Sequence, residues 1–172
     1  MRLDRYDEVN PSKPQRNAFH CGEVSLDAWL ATQARQSMAS RDAVTYLLMD
    51  NEIIAGYFCL SAGQVSRADA PANVSRRAPD PIPVVRMGRL AVGSPYQGRG
   101  WGAELLREAL LSAVSAVKLI GGRALLVDAL DERAIAFYRR YGFVVSPIHP
   151  LQLLIPLADV AASAGHTDSG SP

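Results

Sequence analysis

The segment Gln97-Gly98-Arg99-Gly100-Trp101-Gly102 constrains this chain more than any other. It places three glycines in five positions, after an apolar run and before a stretch of helical periodicity. Glycine adopts positive φ freely and lets the main chain approach a ligand closely. In such a turn the backbone N–H groups converge, and the helix behind adds its N-terminal dipole, which suits a phosphate. Arg99 adds charge. Glycines also serve plain tight turns, but the arginine and the following helix favour an anion site. Gly98, Gly100 and Ala103 satisfy the loose G-x-G-x-x-A dinucleotide pattern as well. That pattern should open a series of parallel crossover units and meet an acidic residue ~20 positions on. Here the corresponding region, Lys118 to Arg123, holds no carboxylate, and a hairpin precedes the turn. A nicotinamide-binding fold is therefore disfavoured, and no G-K-[ST] ending marks a P-loop.

The flanking pattern sets the fold class. Ser25 reads as an N-cap, followed by Leu26, Trp29, Leu30, Ala34 and Met38 on one helical face. Val44–Met49 and Ile53–Ser61, separated by Asp50-Asn51-Glu52, read as a hairpin. Residues 64–83 form a polar loop with four prolines and Arg67, Arg76 and Arg77; a loop so long is often functional. Val84–Val92 is a strand, and the glycine turn follows. A helix then shows Leu106, Ala109, Leu110, Ala113, Val114 and Val117 on one face and stops at Gly121-Gly122. Ala124–Leu130 is a further strand. Asp131 caps a short helix ending near Tyr141, and Phe143–Val145 and Leu151–Leu157 close the sheet. Antiparallel pairs come first and crossovers later, which predicts an α/β domain with a mixed central sheet flanked by helices over residues 1–160. The small, polar tail 161–172 is expected to be disordered.

Composition narrows the function classes. At 172 residues and 48% hydrophobic content the chain supports one core. No apolar run approaches the ~18 residues of a membrane span, and the polar start, Met1 to Asn17, gives no signal peptide. Cys21 and Cys59 form no C-x-x-C pair and predict no metal site; Cys59 reads as a core residue, and a reducing cytoplasm is the expected compartment. A net charge of +1 argues against a general nucleic-acid coat protein. Yet Lys13 and Lys118 are the only lysines among 18 basic residues. Arginine suits bidentate phosphate contacts, and biased codon usage would give the same excess.

These motifs together resemble the GNAT acetyltransferases. Gln97, Gly100 and Gly102 fill the fixed places of that family's pyrophosphate-binding Q/R-x-x-G-x-G/A motif, with Gly98, Arg99 and Trp101 between them. Leu90-Ala91-Val92 resembles the strand whose backbone pairs with the pantetheine arm. Asp131 to Phe143 resembles the later signature N-x-x-A-x-x-F-Y-x-x-x-G-F, with Ala134, Phe137 and Tyr138 in place and aspartate where many members have asparagine. The resemblance thus implies the GNAT fold, acetyl-CoA as cosubstrate, and cofactor contacts from Leu90, Ala91, Val92, Gln97, Gly98, Arg99, Gly100, Trp101, Gly102, Asp131, Ala134 and Phe137. Phe19-His20-Cys21-Gly22, Leu26-Asp27-x-Trp29-Leu30, the segment Arg76 to Pro83 and Tyr138-Arg139-Arg140 are similar to the toxin branch of the family. That branch acetylates the amino group of aminoacyl-tRNA, arrests translation and is encoded beside a ribbon-helix-helix antitoxin. The likeness implies charged tRNA and such an antitoxin as partners, and a homodimer.

Acetyl transfer to an amine needs a proton for the departing thiolate. Tyr138 suits this role, since a phenol near pKa ~10 is protonated at neutral pH; as neighbour of Phe137 it also suits packing. His20 and His149 lie outside the motifs, so no general base is evident. An α-amine titrating near ~8, lowered further by the adjacent ester, needs little help, whereas a lysine near ~10.4 would need more. The missing base therefore leans toward an α-amine substrate. Arg76, Arg77, Arg86 and Arg89, with Arg139 and Arg140, are the candidate contacts to an RNA acceptor end. An enzyme acting on a protein N-terminus, a polyamine or another small amine is the alternative within the family. A module that binds CoA or a partner without chemistry is the alternative outside it.

Overall fold

The computed structural model describes residues 1–167. Seven strands form one mixed sheet in the order β1-β2-β3-β4-β5-β7-β6. In chain order β1 is Arg2–Arg5, β2 Val44–Asp50, β3 Ile53–Val65, β4 Ile82–Val92, β5 Ala124–Asp128, β6 Val144–Val145 and β7 Gln152–Pro156. The helices are α1 (Tyr6–Val9), α2 (Lys13–Asn17), α3 (Val24–Thr32), α4 (Ala34–Ala39), α5 (Ala72–Ser75), α6 (Trp101–Ile120), α7 (Glu132–Arg140) and α8 (Leu157–Thr167). The chain divides into two compact units, one of Met1–Ser61 and Gly88–Ala109, the other of Ala62–Met87 and Leu110–Pro172.

In the first unit β1 pairs antiparallel with β2, and β2 with β3, as the hairpin signature requires. Its core gathers Phe19, Leu26, Trp29, Leu30, Ala34, Leu47, Met49, Ile54, Tyr57 and Cys59. The stripe expected at 26–38 is buried from Leu26 to Ala34 and half-buried at Met38, but Gln33 at φ −115° splits it into α3 and α4. Ser25 is not the cap. Glu23 takes that position without a side-chain bond, because the main-chain N–H groups of Leu26 and Asp27 already bond its carbonyl. The Tyr57 hydroxyl donates to Leu26 O at 2.8 Å, and its ring stacks on Trp29 at 5.9 Å. Gly56 lies where an added Cβ would sit 2.9 Å from both Ala91 O and a Leu105 methyl, so only glycine permits that approach.

In the second unit β4 runs parallel to β5 over Val84–Met87, paired with Ala124–Val127, and β7 is antiparallel to both β5 and β6. Its core includes Val65, Ala70, Val74, Ala78, Ile82, Val84, Ala124, Leu126 and Leu154. Residues 64–83 are therefore not the open loop expected from their polarity. β3 extends to Val65, a 3-10 turn covers Arg67–Asp69, α5 follows, and β4 begins at Ile82. Apolar side chains at 65, 70, 74, 78 and 82 pin the segment inward at near-helical intervals. The expectation of a disordered tail is also revised: α8 continues through Ala161 to Thr167, while 168–172 lie outside the described residues. No helix among the described residues is long and apolar enough to cross a membrane.

Candidate active site

The glycine turn has the geometry its composition predicts. After a 3-10 turn at Ser94–Tyr96, Gly98 has φ +73° and Gly100 φ +85°. These left-handed positions alternate with Arg99, the arrangement that gathers successive N–H groups into an anion-binding concavity. A Cβ at either glycine would meet nothing within 4 Å, so the turn faces open space. Gln97, Gly98, Arg99 and Gly100 are exposed, Trp101 and Gly102 half-buried, and α6 extends for 20 residues behind them. The Gln97 side-chain amide does not point outward. It donates to Cys21 O at 2.7 Å and Val92 O at 2.8 Å. The Ser94 N–H and hydroxyl both donate to His20 O. This brace between the turn and the His20–Cys21 approach to α3 was invisible in the sequence, since the partners are main-chain carbonyls. Open left-handed glycines ahead of a long helix have the geometry of an anion site.

Nearby in the same unit, Arg89 lies with its guanidinium carbon 4.4 Å from the centre of the Trp29 ring. Cation–π contact and half-burial hold this side chain in place. Leu90, Ala91 and Val92 follow it along β4, half-buried or buried. Both thiols are biased toward the protonated form. Burial and the adjacent Asp27 push Cys21 up to about 11, and burial raises Cys59 as well. His20 is exposed, its Nδ1 3.5 Å from an Asp27 oxygen.

In the second unit the Asp131 carboxylate accepts from Ala134 N at 2.9 Å and caps α7 as predicted. One of its oxygens is thus used in the helix, which answers why aspartate can stand where asparagine is common. Tyr138 is buried on α7 within an aromatic cluster. Its ring centre is 5.2 Å from that of Phe137 and 5.4 Å from that of Phe143, and Tyr141 packs on Phe137. Burial raises the Tyr138 phenol above its ordinary value. Among the described residues no protein group hydrogen-bonds its hydroxyl, and burial keeps the proton in place at neutral pH.

The four arginines of the expected RNA handle have different surroundings. Arg86 is ion-paired with Asp128, whose other oxygen accepts from the Gln152 amide at 3.4 Å. Arg89 is stacked as described. Arg76 and Arg77 are exposed, and among the described residues no carboxylate pairs with them. Arg139 and Arg140 are exposed in the last turn of α7, where cations favour the helix dipole. His149 Nε2 lies 3.2 Å from Asp69, and Ser146 Oγ donates to Asp69 O; both tie the basic segment to the β6–β7 connection.

Known proteins resemble this chain in sequence and fold. Residues 41–145 match the family model described as an acetyltransferase (GNAT) domain. A tRNA-acetylating toxin of Mycobacterium tuberculosis is 40% identical over 148 residues, covering 86% of this chain and 89% of that protein. The solved structure of AtaT complexed with acetyl-methionyl-tRNAfMet aligns with a TM-score of 0.84 at 27% identity, covering 94% of this chain and 98% of the other. A tyrosine-to-phenylalanine variant of AtaT bound to the C-terminus of the antitoxin AtaR and acetyl-CoA aligns with a TM-score of 0.77 at 26% identity, covering 94% and 96%. The turn, the mixed sheet, the capped α7 and these likenesses agree: the chain belongs to the GNAT acetyltransferase family.

Proposed function

We propose that this protein transfers the acetyl group of acetyl-CoA to the α-amine of aminoacyl-tRNA, and so acts as the toxin of a toxin–antitoxin pair. The observation that carries the reading is the 40% identity to a tRNA-acetylating toxin across 86% of the chain. Acetyl-CoA supplies the thioester whose acetyl carbon forms a bond to the amine nitrogen as its bond to sulfur breaks. The Gln97–Gly102 N–H groups bind the pyrophosphate, with Arg99 adding charge, and the Leu90–Val92 backbone aligns the pantetheine arm. Asp131, Ala134 and Phe137 shape the start of α7 beside the cofactor. The Tyr138 hydroxyl hands its proton to the departing sulfur, and the amine loses one to solvent. No protein base is required, because an ester-bearing α-amine is substantially neutral near pH 7. Arg76 and Arg77, with Arg86 and Arg89, receive the acceptor-end phosphates. The family resemblance further supports a cytoplasmic homodimer inhibited by a ribbon-helix-helix antitoxin.

The test is incubation with radiolabelled acetyl-CoA and charged tRNA, with uncharged tRNA and spermidine as parallel arms. Label should appear only with charged tRNA and leave it, on mild alkaline hydrolysis, as N-acetyl amino acid. Arg76→Glu with Arg77→Glu should abolish the transfer with CoA affinity intact. Label on spermidine and none on charged tRNA would replace this reading with small-amine acetylation.

A further inference from the structure

Arg77, at φ +56°, is one of four non-glycine residues with positive φ among the described residues. For an L-residue this conformation is disfavoured and persists only where the surroundings enforce it. Its immediate neighbours explain part of the enforcement. Val74 and Ala78 on either side are buried in the second unit's core, and Ala78 N bonds Ser75 O at 3.2 Å. The chain must reverse between two buried anchors, and Arg76 and Arg77 are the residues left at the surface of the reversal.

The remaining constraint comes from 46 residues further along. The Arg123 guanidinium donates from Nη2 to the Arg77 carbonyl at 2.9 Å. Arg123 is itself fixed at the start of β5: its N–H donates to Pro83 O at 2.9 Å, and its carbonyl accepts from Leu157 N at 3.0 Å. A charged donor at the end of a strand therefore grips the peptide that carries the strained residue. Among the described residues no carboxylate pairs with Arg123, so its guanidinium is not engaged by an ion pair.

We infer that Arg123 is a positioning residue: it holds the Arg77 peptide in its left-handed turn and so presents Arg76 and Arg77 as one rigid cationic fork to the acceptor-end phosphates. This rests on the reading of Arg76 and Arg77 as the RNA handle. A fork fixed in advance loses less conformational entropy on binding than two free arginine side chains on a mobile loop. The expected signature is a change in KM for charged tRNA with kcat and CoA affinity preserved.

The experiment is a mutant cycle read by steady-state acetylation of charged tRNA. Arg123→Met keeps the aliphatic stem and removes the donors; it should raise KM about tenfold, the scale of a lost charge-assisted hydrogen bond. Arg123→Lys retains one charged donor and should give an intermediate KM. In the Arg76→Ala/Arg77→Ala background, Arg123→Met should add nothing further. The amide and Cα chemical shifts of Arg77 should leave the left-handed range in Arg123→Met. Additive effects would overturn the proposal in favour of direct phosphate contact by Arg123. An unchanged KM in Arg123→Met, beside a raised one in Arg76→Ala/Arg77→Ala, would overturn it while sparing the handle. A wild-type KM in Arg76→Ala/Arg77→Ala would instead overturn the handle. Loss of CoA affinity in both Arg123 variants would reduce Arg123 to a fold-stabilising residue.

Discussion

The Gln97–Gly102 turn and helix α7, the two regions proposed to serve acetyl-CoA, are built by opposite means. The turn works through its main chain: two left-handed glycines face open space, and the Gln97 amide beside them is turned inward. Helix α7 works through side chains: Tyr138 sits among Phe137, Phe143 and Tyr141, its conformation fixed by packing. A main-chain site tolerates change in what its residues carry but not in whether they have a Cβ. A side-chain site tolerates change in shape only where the ring is kept.

The sharpest test of that contrast is Tyr138→Phe. The ring and its packing remain, and the proton donor is lost. Single-turnover acetylation of charged tRNA should fall 10²–10⁴-fold, the usual contribution of a general acid, with CoA affinity near wild type. A wild-type rate in a folded variant would make Tyr138 a packing residue and erase the contrast. Next in size is Gly100→Asp, which forces a branched residue to φ +85° and sets a carboxylate at the anion site. Calorimetry should show CoA binding weakened by at least ~30-fold, from backbone strain plus repulsion; unchanged affinity would place the pyrophosphate elsewhere.

The pH profile discriminates more finely. Burial raises the Tyr138 phenol, so its proton is fully present below the ordinary phenol value of ~10 and is lost only as pH rises beyond it. The rate should climb as the substrate α-amine deprotonates, below the ~8 of a free α-amine because of the adjacent ester, and then stay level to pH ~9.5. A descending limb below pH 9 would show that a group of lower pKa supplies the proton. The smallest effect belongs to Asp131→Ala. Loss of the bond to Ala134 N should lower stability by ~1 kcal/mol, measured by denaturant unfolding, with a modest effect on KM for acetyl-CoA.

Both of these regions were legible in the sequence because their signals are local. Glycine spacing ahead of an apolar stripe, and aspartate at the head of a short helix closed by Gly142, are written in a few consecutive residues. The N-terminal elements escaped a reading based on apolar periodicity. β1 is four residues long with charges at Arg2, Asp4 and Arg5, and it exists because β2 supplies its hydrogen bonds. α2 did carry a signal, the Ser12–Gln15 capping box with Pro14 in the first turn, set in a segment too polar to draw attention. The segment 64–83 misled for the opposite reason. Its prolines and arginines dominate the composition, while the thinly spaced apolar residues that bury it act only once the second core has formed. The contacts of Gln97 with Cys21, Arg86 with Asp128 and Arg77 with Arg123 could not be read at all, since each arises between distant stretches of chain.

The inward amide of Gln97 also bears on the grammar of the family motif. Two carbonyl oxygens, of Cys21 and Val92, converge on one nitrogen at 2.7 and 2.8 Å. The position therefore demands a donor of at least two protons and has no place for an acceptor. Glutamine and arginine, the two residues the motif admits there, share that property, whereas glutamate of nearly the same shape would oppose three oxygens to one another. The first letter of the motif is thus a rule about hydrogen-bond polarity at the seam of the loop, distinct from the open, left-handed glycines that follow it.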